Sequence, residues 1–310
     1  MTSTDRPQAR GILFVTLAVT LWGGSASLAK YLFLTSYDPL IVTQTRSSLS
    51  FLLLAAWFLF TDRSVFRVQL RGLYKFALIG IVGIATTNYT YYFTVKESTV
   101  ATAILVQNAA PVVVMLYAVV VSKEEDFTGI KVIALLFALF GCFLAVSGGS
   151  TSEVNLAGWA LVTAPVSMLT YAFMLLMSKH VLRTYSVWTM LVTALGFATV
   201  FWLFVNPPWV IAAEGYGPGD WGIFLGFAVV SILLPYIFFA QGLRLLEATT
   251  AGIVSTLEPV IAIIVAWLAL SESMNFIQVA GTIAVVSSVL LLQVRRSALP
   301  GFLRKERHGE

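Results

Sequence analysis

Two charged side chains lie inside stretches that are otherwise almost wholly apolar. Glu258 stands beside Pro259 in "STLEPVIAIIVAWLALSE", and Arg46 precedes the apolar run "LSFLLLAAWFLF". A carboxylate could bind a proton or attract an ammonium group, and a guanidinium could attract a carboxylate. A charge at such a position is costly, so each of the two must face a partner or a water-filled cavity.

Two interpretations of Glu258 and Arg46 stay open at this point. In the first, the two residues pair with each other, or Glu258 accepts hydrogen bonds from neighbouring helices, and the role is structural. In the second, one or both line a cavity, where Arg46 attracts a substrate carboxylate and Glu258 binds a proton or a substrate ammonium.

The composition indicates the surroundings in which these charges must lie. Of 310 residues, 58% are hydrophobic and 11% are charged, whereas soluble domains carry about 25% charged residues. The chain is therefore predicted to be an all-α polytopic membrane protein. A single cysteine, Cys142, excludes an internal disulfide.

Apolar runs of the length needed to cross a bilayer, roughly 20 residues, occur ten times. The predicted spans are 11–34, 39–60, 73–93, 98–121, 128–147, 157–181, 186–205, 220–243, 250–270 and 276–294. The first follows Arg6 and Arg10 as a secretory signal would, but its length and the nine later spans favour a retained helix.

Basic residues concentrate on one side of the predicted spans. If the N-terminus is cytoplasmic, the cytoplasmic side receives 16 of the 19 Lys and Arg residues, and Lys96 is the one basic residue in an outer loop. This positive-inside bias places both termini in the cytoplasm. It also accounts for the net charge of +4 without a nucleic-acid partner.

The two halves of the chain resemble each other at an offset of 148 residues. Residues 98–124 align with 246–272, and the matches include Pro111 with Pro259 and Glu124 with Glu272. A unit of five spans is odd in number, so the second copy would enter the membrane inverted. The predicted repeats are 1–147 and 148–310, the second with a basic cytoplasmic tail. Inverted repeats with broken helices are typical of secondary transporters.

Several sequence features resemble a known family. "LWGGSASLAK" in the first span, Arg46 in the second and "LEPVIAIIVAWLALSE" before a helix with Gly281 are similar to the drug/metabolite transporter superfamily, in its ten-helix EamA-type branch. The resemblance covers essentially the whole chain. It implies a 5+5 inverted repeat that works by alternating access and moves amino acids, other small metabolites or organic cations across the bacterial inner membrane.

The two proline-interrupted segments are candidates for cavity lining. A proline removes one helical hydrogen bond, so Pro111 and Pro259 are predicted helix kinks that free the carbonyls of Gln107 and Ser255. Freed carbonyls in a membrane need a donor, another helix or water. Ala110 fills the place equivalent to Glu258, so the symmetry of the repeat does not require that acid. A packed kink without water is the alternative.

Aromatic and amide side chains give further candidates. Trp22 lies near mid-depth in the first span, Tyr171 is its weaker echo in the second repeat, and Asn88 and Tyr92 share one helix face. A polar and aromatic face suits a flat or cationic solute. Simple packing for Trp22 and an interfacial belt for Tyr92 are the alternatives.

The sequence predicts a transporter and not an enzyme. It has no phosphate-binding loop of the G-x-x-x-x-G-K-[ST] type, and its two histidines, His180 and His308, fall on the cytoplasmic side and in the tail, so neither a cofactor nor a metal is expected. The resemblance and the repeat predict a secondary active transporter, an exporter of small organic metabolites such as amino acids, in the bacterial inner membrane. A uniporter-like or channel-like permease and an exporter of organic cations or drugs are the alternatives. The expected partners are a small-molecule solute and membrane lipid. Two alternatives stay open: coupling to a proton gradient or use of the solute's own gradient alone, and monomer or homodimer.

Overall fold

The computed structural model describes residues 5–34, 37–150, 156–270 and 274–293, and within these ranges the α, 3-10 and π helices are the only regular elements. The α-helices are α1 (Asp5–Leu34), α2 (Pro39–Thr61), α3 (Leu73–Leu78), α4 (Thr87–Glu97), α5 (Val100–Gln107), α6 (Ala110–Leu116), α7 (Gly129–Ser147), α8 (Ala160–Val181), α9 (Val187–Val205), α10 (Pro208–Ala213), α11 (Pro218–Ala228), α12 (Leu234–Leu245), α13 (Ala248–Ser255), α14 (Leu257–Leu270) and α15 (Phe276–Leu291).

The protein is an integral membrane protein. In the described part of the chain, seven helical segments are long and apolar enough to cross a membrane: Leu70–Glu97, Val100–Val121, Gly129–Ser147, Ala160–Val181, Val187–Val205, Pro218–Leu245 and Ala248–Val265. Large apolar side chains also cover the outer surface; Phe60 is 88% exposed and Phe204 is 84% exposed. Such a surface suits lipid and not water.

Three segments have π-helical geometry, which the apolar pattern did not indicate. Ile79–Thr86 joins α3 to α4, Tyr117–Val121 follows α6, and Val229–Leu233 joins α11 to α12. A π turn inserts an extra residue into a helix and rotates the side chains that follow, and it frequently occurs at functional sites. The helices on either side of these segments are therefore offset from a regular 3.6-residue repeat.

Two helices are interrupted directly before a proline. Helix α6 begins one residue before Pro111, and α14 begins two residues before Pro259. At the second break the N–H of Thr256 donates to Ile253 O, three residues back, at 3.1 Å, which tightens the last turn of α13. The breaks divide α5 from α6, and α13 from α14, within one apolar stretch each.

Glycines allow close contact between helices that are distant in the sequence. A Cβ on Gly281 would lie 2.3 Å from Ala145 N, and one on Gly141 would lie 2.8 Å from Gly281 O, so α7 and α15 pack backbone against backbone. A Cβ on Gly242 would lie 2.8 Å from Gly11 O, where α12 crosses α1. Small residues at such crossings are typical of helix packing in membranes.

The helices alternate in direction between two ends of the molecule. Contacts between neighbouring connections define an end that holds residues 62–72, 122–128, 182–186 and 246–247, which we call the basic end. The opposite end holds residues 37–38, 98–99, 148–150, 206–217 and 274–275. The basic end carries Arg63, Arg67, Arg71, Lys123 and Arg183.

Candidate functional site

Arg46 lies in the first half of α2, where its guanidinium is held by three side chains. Nη1 donates to the hydroxyls of Tyr92 and, at 3.1 Å, of Ser231, and Nη2 donates to Asn88 Oδ1. Arg46 is only 2% exposed. Asn88 follows the π segment Ile79–Thr86 closely and Ser231 lies within the segment Val229–Leu233, so both π segments contribute to holding this one charge.

Aromatic rings complete the surroundings of Arg46. The guanidinium carbon lies 4.3 Å from the centroid of the Tyr92 ring and 5.6 Å from that of Phe227. Rings at these distances stabilise a cation through their π faces. The Arg46 Nε–H is nevertheless buried without a hydrogen-bond partner among the described atoms. Buried donors are normally hydrogen-bonded, so this N–H is available to a ligand or an ordered water.

A cavity opens beside the guanidinium in the middle of the helix bundle. It has about 540 Å³ of atom-free space, including the part open to the outside. Its lining residues in the described ranges come from both halves of the chain: Trp22, Ser25, Arg46, Thr87, Asn88, Tyr91, Tyr92, Gln107, Tyr171, Ser231, Tyr236 and Glu258. The cavity therefore combines a cation, an acid, amides and aromatic rings.

Glu258 faces the same cavity in the first turn of α14 and is partly exposed to it. Within the described residues no ion pair joins Glu258 to Arg46, and the carboxylate accepts no hydrogen bond from protein. The Tyr91 hydroxyl in the same cavity is likewise buried without a partner in this part of the chain. The geometry thus argues against a structural pairing of Glu258 with Arg46.

The structure brings seven of the eight predicted side chains to the cavity, and the eighth, Ser255, lies in contact with one of them. Tyr171 donates from its hydroxyl to Ser255 Oγ at 3.2 Å, and Gln107 donates to Ser167 Oγ at 2.9 Å. Trp22 donates through its indole N–H to the Ser231 carbonyl at 3.1 Å. The bonds of Gln107 and Trp22 link helices from the two halves of the chain, and the bond of Tyr171 links two helices of the second half.

An aromatic layer lies between the cavity and the basic end. The Trp22 ring lies 5.5 Å from Tyr236 in an edge-to-face arrangement and 5.3 Å from Phe239, and Tyr171 lies 6.5 Å from Phe239. The edge-to-face contact is a geometry that aromatic pairs favour. Helix α12 continues from Phe239 to Leu245 at the basic end, so the layer lies between the cavity and that end.

Comparison with known proteins places this arrangement in a family. The model of the EamA-like transporter family matches residues 9–147 and again residues 158–294. The chain belongs to the EamA-like transporter family. No group of three or more His, Cys, Asp or Glu residues among the described residues could hold a metal ion.

Curated relatives of this EamA-like transporter are named as transporters. It is 23% identical over 292 residues to the uncharacterized inner membrane transporter YicL of Salmonella typhimurium, covering 92% of this chain and 95% of that protein. It is 25% identical over 297 residues to the threonine/homoserine exporter RhtA of Escherichia coli (strain K12), covering 93% of both. A solved crystal structure shares the fold with a TM-score of 0.73 at 15% identity, covering 92% of this chain and 96% of that one.

Five lining residues of the EamA-like transporter were not predicted from the sequence: Ser25, Thr87, Tyr91, Ser231 and Tyr236. One of them carried a signal. The repeat offset of 148 relates Asn88 to Tyr236, and in the structure Asn88 Nδ2 donates to the Tyr236 hydroxyl at 2.9 Å. Applying the offset to every predicted residue would have found Tyr236. Ser231 offered no such signal, since a serine in an apolar helix is ordinary.

Gly23 sets the distance between α1 and the backbone that carries Glu258. A Cβ on Gly23 would lie 2.7 Å from Glu258 O and 3.1 Å from Ala262 N, whereas one on Gly24 would meet nothing within 4 Å. We expect Gly23→Ala to destabilise the protein by about 1–3 kcal/mol through overpacking, and to lower transport by displacing α14. Gly24→Ala is the matched control and should leave both unchanged. Melting temperature in detergent and initial transport rate measure the two effects; equal behaviour of the variants would contradict the contact.

Proposed function

We propose that the protein is a secondary transporter that exports small organic metabolites, amino acids among them, by alternating access around the central cavity. The observation that carries this proposal is a set of unsatisfied polar groups in the cavity. Among the described residues, the buried Arg46 Nε–H and Tyr91 hydroxyl have no hydrogen-bond partner, and the partly exposed Glu258 carboxylate accepts no hydrogen bond. Buried polar groups are normally satisfied, so these three call for a ligand or water.

The unsatisfied groups differ in charge, and this favours one kind of solute. A cationic donor at Arg46 suits a carboxylate, and the acid at Glu258 suits an ammonium or a proton. A solute that carries both an ammonium and a carboxylate would satisfy both ends of the cavity at once. The relative named as a threonine/homoserine exporter supports amino acids as the class to test first.

We also propose that the chain has ten membrane spans in a 5+5 inverted repeat, with both termini in the cytoplasm. The proposal pairs α1 with α8, α2 with α9, the segment α3–α4 with α11–α12, α5–α6 with α13–α14, and α7 with α15. The two stretches that match the family model, 9–147 and 158–294, support the division. The π segments support it as well, because residues 79–86 shifted by 148 overlap the segment Val229–Leu233.

Helix packing gives further support, because contacts made by a helix of one half have counterparts made by the equivalent helix of the other half. Helix α1 packs on α12 and α14, and its proposed counterpart α8 packs on α4, α5 and α6. The proposed pairs α2 with α9 and α7 with α15 pack against each other. The contact of Asn88 with Tyr236 joins two equivalent positions. Two equivalent positions that touch must flank a two-fold axis, which the proposal therefore places beside the cavity.

The alternative of a channel-like permease predicts a continuous path through the molecule. The packed rings of Trp22, Tyr236 and Phe239 lie between the cavity and the basic end, and this favours a carrier. An exporter of organic cations is the second alternative. It draws support from Glu258 and the aromatic lining, but it leaves the buried Arg46 cation unexplained.

Counterflow separates a carrier from a pore. Proteoliposomes loaded with unlabelled threonine or homoserine and diluted into a trace of the labelled solute should take up label above its equilibrium level for a time. A carrier returns loaded more readily than empty, whereas a pore lets the two solutes diffuse independently. Protein-free liposomes and a solute without amino and carboxyl groups serve as controls. Uptake that rises only to equilibrium, at every solute concentration, would contradict the proposal.

A further inference from the structure

Among the described residues, ion pairs cross between the two halves of the chain at one end of the molecule. Of the four ion pairs found among the described residues, two join residues before 148 to residues after 157, namely Glu124 with Arg183 and Lys131 with Glu247. Both lie at the basic end. Near the opposite end, Lys96 pairs with Asp38 at 3.8 Å, but both residues belong to the first half. The charges that join the halves are thus confined to one face in the described part of the chain.

The exposed ion pair of the basic end, Glu124 with Arg183, has well-defined geometry. Nη1 and Nη2 of Arg183, in the connection between α8 and α9, donate to the two carboxylate oxygens of Glu124 at 2.8 and 2.9 Å. A two-pronged contact of this kind fixes orientation as well as distance. The side chains are 49% and 40% exposed, so solvent screens the pair and its strength is modest.

The buried group of ion pairs at the basic end centres on Lys131, at the start of α7. The Lys131 side chain is 7% exposed. Lys131 Nζ lies 3.1 Å from Glu125 Oε2 and 2.7 Å from Glu247 Oε2. Glu125 also accepts the backbone N–H of Thr249 at 3.1 Å, in the first turn of α13. One buried acid therefore joins the connection after α6, the start of α7 and the start of the broken helix α13–α14, which carries Glu258 into the cavity.

A backbone feature places the two acids side by side. Lys123 has φ of 53°, and no other non-glycine residue in the described ranges has a positive φ. This left-handed turn directs the N–H groups of both Glu124 and Glu125 to Ala118 O, at 2.9 and 3.2 Å. An L-residue holds such a conformation only where its surroundings enforce it. The turn lets two consecutive acids reach two different connections of the second half.

Contacts between the halves near the opposite end are of another kind. Gln44 Nε2 donates to the Asn206 backbone carbonyl at 2.7 Å, and Asn206 Nδ2 donates to Gln44 Oε1 at 2.8 Å. The hydroxyls of Thr94 and Thr163 share a hydrogen bond of 2.7 Å. These contacts involve neutral groups. The Tyr37 hydroxyl also donates to the Asp220 carboxylate, so this end has a charged hydrogen bond between the halves but no ion pair between them among the described residues.

The cavity lies between the two ends, because Arg46 comes seven residues after the start of α2 at this end and Glu258 comes ten residues after the start of α13 at the basic end. Among the described residues, the ion pairs that join the halves lie at the basic end.

We propose that the acidic connection Ser122–Asp126 is a latch that holds the cavity closed on the face of the basic end. The inference rests on the proposed alternating access. In the structure the latch is closed. For the cavity to open on that face, Glu124 must separate from Arg183, and the Glu125–Lys131–Glu247 cluster must separate between α7 and α13. The latch therefore sets the balance between the two states, and its charges bias the unloaded carrier toward the state closed at the basic end.

Cysteine labelling from each face of the membrane tests the latch. Cys142 is the single cysteine and is buried, so Cys142→Ala gives a background into which Ser25→Cys introduces a reporter in the cavity. A membrane-impermeant maleimide is applied to one face at a time. In Glu124→Gln with Glu125→Gln, we expect labelling from the face of the basic end to rise about tenfold relative to labelling from the other face.

Two comparisons control for effects of the substitutions other than loss of the ion pairs between the halves. Lys96→Gln removes the ion pair that stays within one half and should leave the labelling ratio unchanged. Arg183→Glu alone should raise the ratio about threefold, the scale of an exposed pair, and its combination with Glu124→Arg should restore it. This exchange uses exposed residues, so it applies even if the double glutamine variant fails to fold.

The outcomes separate the latch from the proposed function. A labelling ratio that stays constant in the Arg183→Glu variant, or that the exchange fails to restore, overturns the latch while counterflow continues. Loss of thermal stability without any change in the ratio would likewise overturn it, because it would show a structural role only. Absence of counterflow in the unmodified protein overturns the carrier, and it does so whatever the labelling ratio shows.

Discussion

Replacement of Arg46 by glutamine is expected to weaken the binding of carboxylate-bearing solutes by about 100-fold and to leave solutes without a carboxylate nearly unaffected. Removal of one member of a buried, hydrogen-bonded charge pair costs roughly 2–5 kcal/mol. A loss of about 2.7 kcal/mol corresponds to 100-fold in affinity. The effect should be selective because the guanidinium is the one cation among the described residues that line the cavity.

The contacts of Arg46 show why glutamine cannot replace it. The guanidinium fills the space between the Tyr92 and Phe227 rings and donates to Asn88 and Ser231. Glutamine is shorter and neutral, so it loses both the ring contacts and the attraction for an anion. Arg46→Lys keeps the charge but lacks the planar fork. We expect its affinity for carboxylate-bearing solutes to lie between that of the parent protein and that of Arg46→Gln.

Competition experiments measure this selectivity. Threonine and 1-aminopropan-2-ol, the amine that remains when its carboxylate is removed, compete with labelled homoserine for counterflow in the parent protein and in each variant. Arg63→Gln is the matched control, because Arg63 is exposed and donates only to the Leu59 carbonyl among the described residues. An equal loss for threonine and for the amine would assign Arg46 a structural role and contradict its part in binding.

The sequence predicted the class of fold and the chemistry of the cavity better than it predicted the geometry of the cavity. Arg46 and Glu258 could be found because a charge in an apolar run is rare and costly. Pro111 and Pro259 could be found because proline cannot donate a backbone hydrogen bond. These signals lie in single residues or in their immediate neighbours, and the structure places all four at or beside the cavity or at helix breaks.

The features that escaped prediction depend on contacts between distant parts of the chain. The π segments next to Asn88 and around Ser231 could not be distinguished from α-helix by their apolar pattern. Their geometry depends on how the neighbouring helices pack. The side chains that hold Arg46 come from residues 42 and 185 positions away. The latch at Glu125 joins residues 124 positions apart. No local pattern indicates such pairs.

The asymmetry between the halves is what makes Glu258 informative. The proposed repeat places Ala110 at the equivalent position, and Ala110 is fully buried, whereas Glu258 is partly exposed to the cavity. A carboxylate needed for the fold would have had a partner or a counterpart. Within the described residues Glu258 has no bonded partner. Its acid is therefore available to a proton or to an ammonium group.

Glu258→Gln is expected to abolish accumulation driven by a proton gradient while exchange at constant pH continues. Glutamine resembles the protonated acid in shape and hydrogen-bonding capacity but cannot release a proton. A carrier that must bind and release that proton in each cycle would lose its link to the gradient and keep the exchange of one solute for another. Proteoliposomes with an imposed pH difference measure the first property, and counterflow with equal pH on both sides measures the second.

The same variant separates the two partners that Glu258 could have. If the carboxylate attracts the substrate ammonium, Glu258→Gln should weaken amino acids in counterflow at constant pH and spare carboxylates that lack an amine. If it carries the proton, both solutes should exchange normally and only the response to the gradient should disappear. Glu97→Gln, an exposed acid near the opposite end, is the matched control. Accumulation that still follows the imposed gradient in Glu258→Gln, at the parent's amplitude, would exclude the proton role.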